Sequence, residues 1–474
     1  MKKIHAALIV VISLILAGSL VAGGLHLYAG QPALPEGTRL AGWEIGGMDY
    51  GEVRSGLEQR LVALESLPLT LTAKGSFKLT MTLKEAGLTY SAHSFVQGLN
   101  RLTEGSLLDR VNARRSFPRS WEIEGRMDWK PLKQKLSPDW EKKAFGTPLD
   151  ATRRITEDDR VLYSPGTTSY AVDWNALETV LQAAVLTDLS RLEALAEQGL
   201  TLEIPLVVLQ PDVTLQVLKE QGVERKITQF STSLGASGPG RTYNVEAAAK
   251  AVDGTLLPPE AIFDYGKAIE KAKTDYGFRE APVIVSGKLQ PGIGGGICQV
   301  SSTLYNAALR TGLEIVERRN HSLPVSYLPK GQDATFAEGY INFRFRNTTG
   351  KYLMIKASVQ GRSLTIKLFG TFPRNVSYTV ESKTVKVLPP EDKIIRDTSM
   401  APGSSRILQN GKTGYVIDTY LTRLVDGKPV EKTKLSRDTY LAQKRLVVAN
   451  QAASRRSPVP EATERPLLED GVRP

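Results

Sequence analysis

GIGGGICQVSSTLYN, residues 292–306, contains the single cysteine of this 474-residue chain. After Cys298, residues that can face a core recur at three- and four-residue steps as far as Thr311. Gly312 follows where a left-handed residue commonly ends a helix. The pattern therefore predicts a glycine-rich turn that runs into a helix, with Cys298 in the first helical turn.

A thiol in the first turn of a helix is in a favourable place for a nucleophile. The positive end of the helix dipole and the unpaired N–H groups there stabilise the thiolate. Glycines allow positive φ and close approach of a substrate, and consecutive N–H groups in such a turn can hold an oxyanion. The residues predicted to bind an oxyanion or substrate in this stretch are Gly295, Gly296, Ile297, Gln299 and Ser301.

A thiol nucleophile needs a base, and the chain has four histidines. His5 and His26 fall in an N-terminal apolar segment, and His93 lies far upstream in another predicted domain. His321 follows the helix and a short strand-like run, 313–316, which would return the chain beside the helix start. It is therefore the natural partner of Cys298. The opposing interpretation is that a lone cysteine is a small buried hydrophobic residue.

Length and charge narrow the classes of function. The chain is long enough for about three domains at roughly 150 residues each, and 41% of its residues are apolar, which is enough to build cores. A formal net charge of +11 and a pI near 9.4 favour negatively charged partners. The sequence has no zinc-finger spacing, basic helix or aromatic RNA-binding motif. We therefore expect anionic wall polymers or lipid head groups rather than nucleic acid.

The N-terminus has the pattern of an export signal. Two lysines precede an apolar run from Ala6 to Ala22, which is longer than the core of a signal peptide and approaches the ~20 residues of a membrane span. We predict an uncleaved signal anchor over residues 1–30, with cleavage as the alternative. The lysines place the N-terminus in the cytoplasm and the bulk of the chain outside the cell membrane. One cysteine there cannot form an internal disulfide.

The predicted fold class is α+β multidomain. Residues 31–229 contain helix and strand patterns that predict small α+β units, with two weak repeats at about 40–110 and 160–225. An α+β domain is predicted for residues 230–373. Turn signals between long extended runs predict an all-β, ribbon-like domain over residues 376–450. Residues 451–474 are charged and poor in apolar side chains, which predicts a disordered tail.

The segment from Phe230 to Phe372 resembles a VanW domain. The resemblance rests on RTYN at 241–244, on GGGICQVSSTLYNAALRTGLEIVERRNHS at 294–322, on Tyr327 and on DAT at 333–335. The following segment resembles the five-glycine, wall-associated domain, although the fifth glycine is missing near Ala449. The glycines that carry this second resemblance are Gly403, Gly411, Gly414 and Gly427. The region before Phe230 is more weakly similar to peptidoglycan-binding domains of membrane-anchored wall proteins.

The resemblance implies a chemistry for these residues. Some VanW proteins look like cysteine L,D-transpeptidases of peptidoglycan, and the family is named for its occurrence in vancomycin-resistance clusters. Carried over, this makes Cys298 the nucleophile and His321 the base, with Asp333 orienting the imidazole. Arg241 would hold a stem-peptide carboxylate, and Tyr327 belongs to the same substrate-binding set. Peptidoglycan is then the expected partner, and neither a cofactor nor a metal is expected.

Two other functions stay open at this point. The first is a non-catalytic, peptidoglycan-binding or scaffolding VanW protein, linked to envelope maintenance or glycopeptide resistance, in which Cys298 is packed inside. The second is a thiol amidase or peptidase that uses the same Cys298 and His321 but takes water as the acceptor. A metal site is less favoured because Cys298, His321 and Asp333 would supply at most three ligands.

Overall fold

The computed structural model describes residues 2–74, 77–185, 187–285, 288–450 and the backbone of 470–471. It divides into two compact units: residues up to 150 with 166–212, and residues 151–165 with 213 onward. Both units mix helices with strands, and the chain beyond Val376 is all β, so the predicted α+β multidomain class is confirmed. The predicted tail, 451–474, lies outside the described residues apart from the short strand Asp470–Gly471.

The N-terminal helix covers Lys2–Ala29 and has a mean hydropathy of 2.6 over its most apolar window. Among the described residues it is the one helix long and apolar enough to cross a membrane, by length and composition. A signal sequence near the N-terminus can also satisfy these criteria of length and composition. The predicted apolar helix is therefore present, and both the anchor and the signal interpretation fit it.

The first unit is built from short helices around small sheets. Its helices after the N-terminal one are Tyr50–Glu65, Leu83–Ala86, His93–Thr103, Leu107–Arg115, Lys130–Lys135, Pro138–Phe145, Trp174–Ala184 and Leu192–Gln198, with a 3-10 turn at Leu189–Arg191. Its strands are Arg39–Leu40, Trp43–Glu44, Pro68–Ala73, Phe77–Thr82, Leu88–Ser91, Ser120–Trp121, Glu124–Met127, Ser169–Val172, Leu200–Glu203 and Leu206–Leu209.

The two segments read as weak repeats share one sheet in this unit. Pro68–Ala73 and Phe77–Thr82 form the antiparallel hairpin that alternating apolar residues predict, with Leu71 opposite Leu79. Leu200–Glu203, from the second segment, adds in parallel to the free edge of Pro68–Ala73. The apolar face of this sheet therefore contributes to one common core rather than to two separate ones.

The second unit contains the glycine-rich stretch 292–306 with Cys298. Its helices are Leu215–Glu220, Pro239–Val252, Tyr265–Tyr276 and Ile297–Leu309. Its strands before residue 376 are Thr152–Ile155, Val161–Ser164, Arg225–Ser233, Leu256–Leu257, Ile262–Asp264, Glu280–Val285, Lys288–Ile293, Glu314–Glu317, Phe336–Ala337, Arg344–Arg346, Leu353–Gln360 and Ser363–Gly370.

A four-stranded antiparallel sheet supports the helix Ile297–Leu309, which we call the Cys298 helix. The sheet contains Arg225–Ser233, Ser363–Gly370, Leu353–Gln360 and Leu256–Leu257, in that order. Alternate side chains of its central strands, among them Ile355, Ile366 and Leu368, are fully buried in the same core cluster as the Cys298 helix. Each such side chain contributes about 1.5–3 kcal/mol when it is removed from water.

The Cys298 helix is buried along its whole length, since all thirteen residues from Ile297 to Leu309 are buried. Its apolar residues pack in the core cluster, and its polar residues face neighbouring loops. A helix covered on every side needs a partner for each polar side chain, because an unpaired buried polar group is costly. The polar residues of this helix therefore hold the neighbouring loops in place.

The C-terminal part of the second unit is an extended β ribbon. Val376–Leu388, Gly414–Val425 and Lys428–Tyr440 form one antiparallel sheet. Asp392–Arg396, Arg445–Ala449 and Ser405–Gln409 form a second sheet. Most of these side chains are exposed or half-buried, and the buried ones include Ile417, Thr419 and Tyr440.

Candidate functional site

The turn before the Cys298 helix is made of glycines for reasons of both conformation and space. Gly296 caps the helix in the left-handed region, with φ of 110°. A Cβ atom on Gly295 would lie 2.4 Å from the carbonyl oxygen of Pro282, which is closer than atoms approach. Cys298 is the second residue of the helix, in the first turn as the sequence predicts.

The Cys298 thiol is fully buried and contacts the backbone of Phe336. The N–H of Phe336 donates to Sγ at 3.2 Å, and the S–H donates to the Phe336 carbonyl at 3.4 Å. The thiol is therefore positioned by residues 332–336, which we call the bridging segment.

Polar residues of the Cys298 helix hold the bridging segment. Ser301 donates to the carbonyl of Ala334 at 2.7 Å, and the N–H of Ala334 donates to the hydroxyl of Ser302 at 2.9 Å. Asn306 donates to the first carbonyl of the segment at 2.7 Å. Ser301, predicted as a substrate-binding residue, is thus buried and bonded to the protein backbone.

His321 and Asp333 form a buried pair. Oδ2 of Asp333 lies 2.7 Å from Nδ1 of His321 and also accepts the backbone N–H of His321 at 2.7 Å. Burial opposes ionisation of Asp333, but the hydrogen bonds and charge of His321 and the charge of Arg318 outweigh it and hold its pKa at about 2. Asp333 is therefore ionised at neutral pH, which fixes the imidazole proton on Nδ1.

The bridging segment joins the pair to the thiol. Asp333 and Phe336 are three residues apart on it, and they contact His321 and Cys298 respectively. The three residues predicted as nucleophile, base and orienting acid are thus connected through one short segment. Hydrogen bonds from the Cys298 helix fix that segment at Ala334.

Two residues that the sequence analysis did not assign also bind Asp333. The hydroxyl of Tyr440 donates to Oδ1 of Asp333, and it accepts the N–H of Gly331 at 2.6 Å. Arg318 donates to the carbonyl of Asp333 at 2.7 Å and to Asp438 at 2.6 Å, with its side chain 7% exposed. Arg318 lies inside the quoted 294–322 motif, whereas nothing local in the sequence marks Tyr440.

Three predicted substrate-binding side chains line one cleft of about 980 Å³. They are Arg241, Gln299 and Tyr327. Arg241 donates to the side-chain oxygen of Gln299 at 3.1 Å, and its guanidinium lies 5.9 Å from the ring centre of Tyr327. Lys412 of the β ribbon also lines the cleft, and no acidic side chain does so among the described residues. The cleft therefore carries net positive charge.

The remaining predicted residues are buried in the turn. The N–H groups of Ile297 and Gln299 donate to Gly294 and Gly296 at 3.3 and 3.0 Å. The carbonyl of Gly295 accepts from Asn244, and that of Ile297 accepts from Tyr265. The oxyanion role of these residues stays a prediction. No group of three His, Cys, Asp or Glu side chains suited to a metal is found in the described part of the chain.

The lowered pKa of Asp333 predicts a dependence of stability on acidity. A carboxyl whose pKa is depressed on folding stabilises the fold above its ordinary pKa of about 3.9, and this contribution is lost as the pH falls towards 2. With a folded value of about 2, the contribution is on the order of 2 kcal/mol. Asp333→Asn should therefore remove this part of the loss of stability between pH 4 and 2.

The measurement is the urea midpoint for labelling of Cys298, the single thiol, with a pyridyl disulfide, which reacts at acidic pH. Asp426→Asn, at an exposed ribbon turn, is the matched control and should keep the wild-type dependence. If the urea midpoint falls equally between pH 4 and 2 in wild type and Asp333→Asn, other carboxyls cause the loss of stability in acid.

Two family models match this chain. Residues 240–369 match the model described as VanW like protein, and residues 379–450 match the G5 domain. The uncharacterized protein YoaR of Bacillus subtilis (strain 168) is 36% identical over 170 residues, which cover 36% of this chain and 56% of that protein. The vancomycin B-type resistance protein VanW of Enterococcus faecalis (strain ATCC 700802 / V583) is 28% identical over 151 residues, which cover 31% of this chain and 55% of that protein.

The chain thus spans about half the length of the curated relatives it matches. Among solved structures, the G5 domain of HP0197 is 33% identical, with a TM-score of 0.12, and covers 15% of this chain and 96% of that one. The G5 domain of an IgA1 protease is 20% identical, with a TM-score of 0.14, and the match covers 16% of this chain and 92% of that one. The weaker resemblance of the region before Phe230 to peptidoglycan-binding domains stays a prediction. The other two resemblances are confirmed by the family models: the chain contains a VanW-like domain at residues 240–369 followed by a G5 domain at residues 379–450.

Proposed function

We propose that this protein is an extracytoplasmic, wall-associated cysteine L,D-transpeptidase that acts on peptidoglycan stem peptides through an acyl-thioester on Cys298. The observation that carries the proposal is the bridging segment. It holds the single thiol of the chain at Phe336 and a buried, ionised Asp333 against His321 at 2.7 Å. A nucleophile, a base and a group that orients the base are the parts that acyl transfer requires.

The first half-reaction forms the thioester. The Cys298 sulfur attacks the carbonyl carbon of the third stem residue as His321 takes the thiol proton. Collapse of the tetrahedral intermediate breaks the peptide bond, and His321 returns the proton to the nitrogen of the leaving D-alanine. Asp333 keeps the imidazole proton on Nδ1 and stabilises the imidazolium that forms in between. The start of the Cys298 helix faces the developing oxyanion with the positive end of its dipole.

The second half-reaction transfers the acyl group. The amine of a neighbouring stem peptide attacks the thioester carbonyl and loses a proton to His321. The carbon–sulfur bond breaks, and the thiol is restored. One peptide bond is exchanged for another, so the reaction needs neither a cofactor nor an energy source. With water in place of the amine, the same residues perform hydrolysis, which is the amidase alternative.

The cleft of about 980 Å³ is the proposed site for the stem peptide. Its two cations, Arg241 and Lys412, suit carboxylates such as those of stem peptides, and the ring of Tyr327 offers an apolar face. Gln299, the neighbour of Cys298, reaches the cleft wall, while Cys298 is 0% exposed. Acylation therefore requires a local opening between the cleft and the thiol.

The burial of Cys298 favours a second candidate, a non-catalytic protein that binds the wall. In that case the thiol is a packed core residue, and the cleft binds wall peptides without cutting them. In both cases the VanW-like and G5 domains fit an extracellular, cell-wall location. We propose that Lys2–Ala29 is the single-pass anchor that keeps the chain at the cell membrane, with its bulk on the wall side.

Mass spectrometry of the intact protein separates these functions. We expect tetrapeptide muropeptides to add the mass of a disaccharide-tripeptide acyl group to Cys298, with release of free D-alanine. Cys298→Ala, which carries no other thiol, should gain no mass. Cross-linked dimers among the products indicate transfer, and free tripeptides indicate hydrolysis. Binding of muropeptides to wild type without any adduct or product would support the non-catalytic candidate instead.

A further inference from the structure

The strand Lys428–Tyr440 of the β ribbon, which we now call the G5 ribbon, ends against residues of the VanW-like domain. Tyr440, the final residue of Lys428–Tyr440, is 0% exposed. The N–H of the following residue, Leu441, donates to the carbonyl of Ser322 at 2.8 Å. The side chain of Asn320 donates to the carbonyl of Thr439 at 3.1 Å. The strand end is therefore bonded directly to the residues on either side of His321.

The G5 ribbon also fixes the loop that precedes Asp333. Thr419 donates to the carbonyl of Gly331 at 3.1 Å, and the N–H of Gly331 donates to the hydroxyl of Tyr440 at 2.6 Å. A Cβ atom on Gly331 would lie 2.2 Å from Oγ1 of Thr419. The backbone just before the bridging segment is thus held on both of its polar groups by G5 side chains.

The hydroxyl of Tyr440 completes the environment of the Asp333 carboxylate. Oδ2 of Asp333 faces His321, and Oδ1 accepts the hydroxyl of Tyr440 and lies 3.5 Å from the guanidinium of Arg318. The charged and titratable groups near the carboxylate therefore include His321, Arg318 and Tyr440, and Asp438 is bound to Arg318. The buried Tyr305 also interacts electrostatically with Asp333. Burial and the negative charge of Asp333 raise the pKa of Tyr440, so the hydroxyl keeps its proton and acts as a donor.

Donation to one oxygen of a carboxylate sets the direction in which the other oxygen points. With Oδ1 fixed by Tyr440, Oδ2 is aimed at Nδ1 of His321. Hydrogen bonds to charged groups are among the strongest in proteins, so the hydroxyl of Tyr440 can hold the carboxylate of Asp333 in one orientation. The residue that aims the base is then supplied by a different domain from the one that carries the nucleophile.

We propose that Tyr440 of the G5 domain is a positioning residue for the His321–Asp333 pair, so that the G5 domain completes the site of the VanW-like domain. This inference rests on the proposed acyl transfer for its kinetic consequence. It also has a spectroscopic consequence that does not depend on activity. The positioning role of Tyr440 would give the G5 domain a part in the chemistry of the site, in addition to any part in binding the wall.

The test is Tyr440→Phe in the full chain, with Tyr420→Phe as the matched control because Tyr420 is a half-buried ribbon tyrosine that packs beside Lys383 and Lys432. Phenylalanine keeps the ring of Tyr440 and removes the hydroxyl alone. We expect kcat for acylation by tetrapeptide muropeptides to fall at least about tenfold, which corresponds to about 1.4 kcal/mol, with KM within about twofold of wild type. Tyr420→Phe should keep both constants.

The second measurement is the low-field proton spectrum. The Nδ1 proton of an imidazole that is bonded to a carboxylate gives a signal at low field, away from other signals. The signal that is absent from the spectrum of His321→Asn is assigned to His321. We expect Tyr440→Phe to shift this signal by more than its linewidth, because the partner oxygen loses a donor. The signal comes from folded molecules only, so a partial loss of stability does not hide the result.

The outcomes are distinct. An unchanged kcat together with an unmoved proton signal would overturn the positioning role while the acyl-transfer function stands. A fall in kcat with an unmoved signal would also overturn it, since it would indicate a general structural effect. If wild type forms no adduct, the proposed function fails, and the proton signal alone decides whether Tyr440 positions the pair.

Discussion

Replacing His321 with asparagine is expected to slow acylation of Cys298 by tetrapeptide muropeptides at least a hundredfold. General bases contribute about 10²–10⁴-fold to such reactions. Asparagine places an N–H donor close to the position of Nδ1, so Asp333 keeps a partner at the contact of 2.7 Å. What asparagine removes is the rest of the ring, including Nε2, which in the proposed reaction accepts the thiol proton. The measurement is the initial rate of mass gain on the intact protein.

The control for this substitution is His93→Asn, because His93 is exposed and lies outside the N-terminal helix Lys2–Ala29, which contains the other two histidines, His5 and His26. It should keep the wild-type rate. The urea midpoint for labelling of Cys298 shows whether His321→Asn keeps the fold. A folded His321→Asn protein that acylates at the wild-type rate would rule out His321 as the base and make the imidazole a structural partner of Asp333.

Local sequence was sufficient to predict the start of the site. The glycines before Cys298 indicate a left-handed turn, which Gly296 adopts with φ of 110°. The period of apolar residues after it predicts a helix, and Gly312, at φ of 69°, follows the helix end. These features depend on neighbours in the chain, because the conformation of a glycine turn and the spacing of a helix face are local properties.

The partners of Asp333 could not be predicted in the same way. Tyr440 lies 107 residues after Asp333 in the chain, and it reads as an ordinary residue of an alternating strand. Its contact depends on where the whole G5 ribbon ends relative to the VanW-like domain. Ser301 is a similar case, since the sequence predicts a substrate contact for it, and the bond of its hydroxyl to the carbonyl of Ala334 depends on where residues 332–336 lie.

The burial of Cys298 is a third feature that the sequence does not determine. A helix start with a glycine turn is compatible with an exposed nucleophile or with a core residue. Whether Cys298 is exposed or buried depends on the bridging segment, which is distant from Cys298 in the sequence. The backbone of Phe336 in this segment covers Sγ. The same covering makes Cys298 a useful probe, since labelling of the single thiol reports opening of the second unit.

Replacing Arg318 with methionine is expected to lower the free energy of unfolding of the second unit by about 3–5 kcal/mol. Breaking a buried ion pair leaves charge without compensation in a poorly hydrated place. Arg318 is 7% exposed and binds Asp438 at 2.6 Å, with Asp333 at 3.5 Å. Methionine has a similar length but no charge, so both carboxylates would lose their cation. If the free energy of unfolding changes by about 2 kcal/mol per molar urea, the urea midpoint of unfolding should fall by about 2 M.

The measurement must report the second unit, which rules out tryptophan fluorescence because all five tryptophans precede residue 175 and lie in the first unit. Pulsed iodoacetamide labelling of Cys298 across a urea series reports unfolding of the second unit. The matched control is Arg346→Met, because Arg346 pairs with Glu314 at 2.9 Å at the surface, where such pairs contribute about 0–1 kcal/mol. Equal midpoints for the two variants would mean that the cost of burying Arg318, Asp333 and Asp438 cancels their attraction. The three charges would then be kept for the geometry around His321 rather than for stability.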